Sequence, residues 1–192
     1  MTVVDLRHYI RVYDHDLEPT ICGQMIDSFA ALERFQRPNG RGYRPGLEDS
    51  AWIELNVSTL ADTGFVASFR HRIEQTLARY NREIGLTIDV PPPSRIADLM
   101  MKRYRAGQRE QFQLHFDAIY QKSDRYLVLL WYLNDMADGG ETVFPQLEVS
   151  VKPMVGRLLV FPPFWMYQHE GRPPGTGNKF ILSTYLLHDQ PV

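Results

Sequence analysis

From Ile96 onward the chain is cut into short β-type runs by turn signals at Ala106-Gly107, Asp138-Gly139-Gly140, Val155-Gly156 and Pro173-Pro174-Gly175. The runs read as 96–105, 111–119, 126–133, 142–144, 147–153, 157–161, 166–170 and 179–188. Many short strands at this spacing argue for an antiparallel sandwich or barrel. The first half differs. Residues 3–13, with Val3, Val4, Leu6, Tyr9, Ile10 and Val12, read as a first strand. Leu17-Glu18-Pro19-Thr20 opens a helix, because proline suits an early helical position, and Ile21, Met25, Phe29, Leu32 and Phe35 follow at helical spacing until Arg37-Pro38-Asn39-Gly40. Residues 38–46 are a loop by composition, and Trp52–Leu55 is a short strand. A second helix is expected from Asp62 to Ile84, its stripe of Phe65, Phe69, Ile73, Leu77, Tyr80 and Ile84 packing on a sheet, with Gly85 at the position after its end.

These patterns predict a mainly β protein with supporting helices. With 192 residues, 44% of them hydrophobic, there is enough apolar surface for one core. Neither an internal repeat nor a linker divides the chain, so one domain over 1–192 is expected: strands and buttressing helices in 1–95, the β core in 96–188. A net charge of −2 argues against a general nucleic-acid or membrane-surface binder. No run approaches the ~20 apolar residues that span a bilayer, and the N-terminus shows no apolar secretory core. The single cysteine, Cys22, leaves no internal disulfide and fits a reducing compartment. The expected location is cytoplasmic.

Chemistry concentrates in Gln113-Leu114-His115-Phe116-Asp117. In a strand, residues two apart point to one face, so His115 and Asp117 would converge and Phe116 would be buried on the other side. An imidazole and a carboxylate are two-thirds of the facial triad that holds non-heme Fe(II) and leaves positions open. The third ligand must come from a distant segment, and His169 is the best candidate. His188 lies beyond Lys179 and near the C-terminus, while His8, His15 and His71 lie outside this region. Lys179 follows His169 by ten positions, on a strand-like run.

The order H-x-D, distal histidine, then lysine resembles the 2-oxoglutarate and Fe(II)-dependent dioxygenases, and within them the prolyl 4-hydroxylase branch. Tyr132-Leu133-Asn134-Asp135 followed by Gly139-Gly140-Glu141-Thr142 is similar to that family's YLND and GGET segment, and Tyr104-Arg105-Ala106-Gly107 to its Y-x-x-G lead-in. The resemblance covers residues 96–187. It implies a double-stranded β-helix, or jelly roll, with the N-terminal helices packed on one sheet. It implies that His115, Asp117 and His169 bind Fe(II), and that Lys179, with the hydroxyls of Thr142 and Tyr104, holds 2-oxoglutarate. O₂ would be the second cosubstrate and ascorbate a candidate reductant. Asp117 speaks for hydroxylation, since halogenating relatives carry a small residue there.

The implied reaction hydroxylates a C–H bond with release of succinate and CO₂, on a prolyl residue of a peptide or protein. Two alternatives stand beside it: hydroxylation of a free amino acid or other small molecule, and a non-catalytic jelly-roll binding module. Candidate substrate contacts are Tyr43 and Arg44 in the 38–46 loop, Arg157 (or an edge charge), Trp165 before His169, and Tyr185. Two departures from the family pattern stand out. Phe112 occupies the place of a second tyrosine, after two extra residues, and Tyr185 stands where tryptophan is common.

Overall fold

The fold is organised by one long strand that faces two different layers. The computed structural model describes residues 5–189. In chain order its elements are β1 (Arg11–Tyr13), α1 (Pro19–Ala31), β2 (Arg37–Gly40), β3 (Ala51–Asn56), α2 (Thr63–Ile84), β4 (Arg95–Ile96), β5 (Met100–Arg105), β6 (Phe112–His115), β7 (Arg125–Tyr132), β8 (Thr142–Phe144), β9 (Val149–Val151), β10 (Leu158–Phe161), β11 (His169–Gly171) and β12 (Asn178–Leu187). The larger sheet runs β1-β10-β7-β12-β5-β3-β2, with β4 also paired to β12; the smaller runs β6-β11-β8-β9. Every strand pair is antiparallel. The two sheets form a jelly roll, with both helices against the larger one.

Period-2 alternation sorts the side chains between layers. On β7, Leu127, Leu129 and Trp131 join the cluster shared with Met25 and Phe29 of α1 and Phe69, Ile73 and Leu77 of α2. The intervening Val128 and Tyr132 join the inter-sheet cluster with Phe144, Phe161 and Ile181. On β5, Met101 faces the helices and Tyr104 the second sheet. Each fully buried large apolar side chain contributes roughly 1.5–3 kcal/mol. The α2 stripe is therefore core, as its spacing predicts: Phe69, Ile73, Leu77, Tyr80 and Ile84 are all buried. The helix starts at Asp62, whose carboxylate accepts from Phe65 N at 2.9 Å, and it stops at the left-handed Gly85.

The first half departs from the sequence reading in three places. Leu6–Tyr9 is a short 3-10 helix whose first turn is capped by Asp5, so strand structure is confined to Arg11–Tyr13. Val3 and Val4 lie outside the described residues. The first α-helix ends at Ala31, and Glu33–Phe35 is a separate 3-10 turn. Residues 37–40 are not loop but strand β2, paired with β3; Pro38 is tolerated because β2 is the sheet's last strand.

Candidate active site

His169 and His115 sit directly opposite each other in the β11–β6 pairing, which starts the assembly of the site. Their rings are 4.3 Å apart and tilted by 53°. β6 ends at His115, so Asp117 is not on the same strand. The Asp117 and Ala118 amides both donate to Pro163 O, at 3.0 Å each, and this turns the chain so that the carboxylate falls between the imidazoles. Asp117 Oδ1 is 3.7 Å from His115 Nε2 and Oδ2 is 3.5 Å from His169 Nε2. The ligand-capable atoms of all three lie within 4.8 Å of one another. The convergence expected for His115 and Asp117 thus occurs, but through a bend; Phe116 is only half-buried.

The groups around the triad hold it ready. His115 Nδ1 is 2.7 Å from Gln113 O, and His169 Nδ1 is 3.0 Å from Tyr167 O. An Nδ1–H donating to each carbonyl leaves the Nε2 lone pairs aimed at the centre. Phe112 stacks on His115 at 3.7 Å and 11°. Tyr185 donates its hydroxyl to Asp117 Oδ1 at 3.0 Å. Burial and the neighbouring His115 push the His169 pKa down to about 4, against the pull of Asp117, so the ring is neutral near pH 7. Burial alone would raise the Asp117 pKa; contact with His115 and the charges of His169, His115 and Arg125 outweigh it and hold the carboxylate ionised. Two neutral imidazoles and one carboxylate could hold a divalent, oxygen-activating metal.

Lys179 lies in the same cavity, on the inward face of β12 opposite Tyr104. It is 3% exposed, and its ammonium is 5.2 Å from the Tyr104 ring centroid and 5.9 Å from that of Tyr132. Among the described residues no carboxylate lies within 4 Å of it. Burial brings its pKa down to about 7, partly offset by Glu141. A buried ammonium without a counter-ion is a site for an anionic group. Thr142 and Tyr104 line the same space. Thr142 Oγ1 accepts from Tyr132 OH at 2.7 Å, which leaves its own proton free to donate. Gly140 makes room for the lysine stem: it has a φ of +78°, and a Cβ there would stand 3.2 Å from Lys179 Cδ.

Residues 99–187 match the model of the 2OG-Fe(II) oxygenase superfamily. Over these residues the chain is similar to the 2OG-Fe(II) oxygenase superfamily, and its similar proteins include prolyl 4-hydroxylases. The chain is 36% identical over 99 residues to "Probable prolyl 4-hydroxylase 11" of Arabidopsis thaliana, covering 46% of this chain and 33% of the relative. It therefore spans about a third of that relative's length. Its fold is similar to a Pseudomonas putida prolyl-4-hydroxylase (TM-score 0.70, 18% identity, 94% of each chain covered). It is also similar to a Trichoplax adhaerens prolyl hydroxylase in complex with a hypoxia inducible factor peptide fragment (TM-score 0.73, 14% identity, 94% of this chain and 84% of that one).

The five candidate substrate contacts scatter. Tyr185 lines the cavity. The loop that carries Tyr43 and Arg44 borders it, since Gln113, two residues from His115, donates to Gly46 O and accepts from Asp49 N. Tyr43 is 66% exposed on that loop, and Trp165 is 64% exposed on the 3-10 turn before β11. Arg157 does not line the cavity: it pairs with Asp14 at 2.6 Å and donates to Lys152 O at 2.8 Å, which is the edge-charge alternative. The sequence assigns no role at the site to Lys102, Ser183, Phe112 or Tyr132, yet the first three line the cavity and Tyr132 supports Thr142. The available signal was position: Lys102 is two residues before Tyr104 on one strand, hence on its face. No helix among the described residues is long and apolar enough to cross a membrane.

Proposed function

We propose that the chain is an Fe(II)- and 2-oxoglutarate-dependent dioxygenase that hydroxylates a C–H bond with release of succinate and CO₂, its client being a prolyl residue in a peptide. One observation carries the reading: three ligand atoms within 4.8 Å of one another share a cavity with the buried, unpaired Lys179. His115, Asp117 and His169 would hold the iron, which when bound supplies the oxygen-activating redox chemistry. Lys179, with Thr142 and Tyr104, would hold the cosubstrate's distal carboxylate. Val128, Phe161 and Ile181 wall the cavity with apolar surface, which strengthens each charged contact inside. Tyr185, through its hydroxyl, orients Asp117.

The peptide client rests on the similarity to prolyl hydroxylases, one of them in complex with a peptide fragment, and on the bordering loop, where Tyr43 offers an exposed aromatic face. Prolyl segments carry a stiff backbone that an aromatic surface holds at low entropic cost. Ascorbate is the proposed reductant. A cytoplasmic location is proposed from Cys22, which is buried and unpaired. The test is incubation with Fe(II), 2-oxoglutarate, ascorbate and a panel of proline peptides, with succinate and peptide mass as readouts. Peptide-stimulated succinate and one added oxygen on proline, at C4, are expected. Stimulation by a free amino acid or other small molecule alone would replace the client. Absence of stimulated succinate with every compound would favour a binding module.

A further inference from the structure

The cavity contains a second buried cation that the proposed chemistry leaves unused. Lys102 is 9% exposed and points inward from β5, two residues before Tyr104. In the β5–β12 register Tyr104 stands opposite Lys179, and Lys102 opposite Ile181. The two lysines thus occupy successive inward levels, about 7 Å apart along the strands. Lys102 Nζ is 5.6 Å from the ring centroids of both Trp52 and Phe112. Phe112 is itself stacked on His115, so this ammonium belongs to the metal-ligand side of the cavity.

Lys102 has no carboxylate of its own. None lies within 4 Å among the described residues. Burial lowers its pKa, and the acids that oppose this are Glu54 and Asp117. Both are engaged elsewhere. Glu54 accepts from Trp52 Nε1 at 2.7 Å and Asn39 Nδ2 at 2.8 Å, and Asp117 lies between the histidines. Beside this level, Ser183 faces the same cavity from β12, and its Oγ is buried without a hydrogen-bond partner. A buried hydroxyl and a buried ammonium left open together are costly unless a ligand satisfies them. The charges of Arg125 and Arg44 act in the same direction as burial, lowering the Lys102 pKa.

We propose that Lys102, with Ser183 beside it, binds a carboxylate of the substrate, so that the client is an acid. The proposal rests on the hydroxylase reading and deepens it. Lys179 takes the cosubstrate's carboxylate; Lys102 takes a second one, fixed near the metal ligands, and so selects which C–H bond is presented. That carboxylate comes from an acidic residue next to the target in a peptide, from a peptide's C-terminus, or from a free amino acid.

The experiment separates these sources. Protein loaded with Mn(II) and 2-oxoglutarate under argon is titrated calorimetrically with three pairs: an Asp-Pro peptide and its Asn-Pro form, a peptide ending in proline as free acid and as amide, and L-proline and L-prolinamide. In at least one pair the carboxylate form is expected to bind about tenfold to a hundredfold tighter, the range of a charge-assisted hydrogen bond. Lys102→Met and Lys102→Gln, checked for folding by circular dichroism, should erase that preference and leave the dissociation constant for 2-oxoglutarate unchanged. Lys102→Arg should retain part of it. No carboxylate preference in the wild type overturns the proposal, as does a preference that survives Lys102→Met. A loss of 2-oxoglutarate binding in Lys102→Met overturns it too, by assigning the lysine to the cosubstrate. Binding here is read without turnover, so carboxylate preference with no succinate under Fe(II) and air would sustain the anion site and remove the hydroxylase reading.

Discussion

His169 faces His115 across the β11–β6 ladder, and the strand register rather than sequence proximity sets the bite of the candidate metal centre. Asp117 completes it only because Pro163 O captures two amides after β6. His115→Ala, Asp117→Ala and His169→Ala are each expected to lose Mn(II) or Fe(II) affinity at equal folding. The loss should exceed the roughly 10–100-fold that removal of an outer partner causes. Calorimetric titration under argon measures this. Unchanged affinity in His169→Ala would move the third ligand elsewhere.

Tyr185 tests the outer support of that centre. Its hydroxyl donates to Asp117 Oδ1 at 3.0 Å, while the Arg125 guanidinium lies 3.5 Å over its ring. Tyr185→Phe keeps the ring and removes the donor. Metal affinity is expected to fall about tenfold, the lower end for an outer-sphere partner, with thermal stability nearly unchanged. A Mn(II) dissociation constant equal to wild type would show that Arg125 alone orients the carboxylate.

Lys179 gives a pH dependence with a defined sign. Its folded pKa of about 7 is below the ordinary lysine value of 10.5, because burial disfavours the ammonium. Between these two values the unfolded chain binds more protons, so this group's contribution to stability rises with pH through that window. Carboxylate binding runs the other way, since it needs the ammonium. The dissociation constant for 2-oxoglutarate is expected to weaken as pH rises from 7 to 9, by up to tenfold per unit. Binding at pH 8 should take up a proton, visible as a calorimetric heat that depends on the buffer's ionisation enthalpy. Lys179→Ala should remove both effects and weaken binding tenfold to a hundredfold. A pH-independent constant in the wild type would place the charge elsewhere.

Much of this was legible because the chemistry restricts residue types. An imidazole–carboxylate pair with a distant histidine builds such a centre, and the near-continuous apolar runs of β7 and β12 announce strands with two buried faces. What was illegible depends on contacts made from far away. Nothing local in Phe116-Asp117-Ala118 shows that Pro163 will end the strand. Pro38 reads as a loop residue until β2 is known to be the edge of its sheet. Position puts Lys102 on the face of Tyr104, but its burial depends on the second sheet, which brings Phe112 and His115 to the same cavity. Arg157 could not be assigned a side before Asp14 was placed beside it.

Gly156 ties the β core to the helical layer, and its replacement separates backbone strain from steric exclusion. Its φ is +74°, and a Cβ there would fall on the carbonyl oxygen of Leu17. Its own carbonyl accepts from the amides of Asp16 and Leu17, at 2.9 and 3.1 Å, just before α1 begins. Asp16 in turn accepts from the fully buried Trp131 at 2.7 Å, so the contact reaches the centre of the larger sheet. Gly156→Ala is expected to cost about 2–5 kcal/mol, combining the left-handed backbone penalty with overpacking. Gly85 is the comparison: its φ is +60°, but a Cβ there meets nothing within 4 Å. Gly85→Ala should therefore cost only about 1–2 kcal/mol. Urea denaturation with unchanged slopes measures both. Equal losses would mean that the approach of Leu17 to Gly156 is not held in solution, and that only the left-handed turn requires glycine.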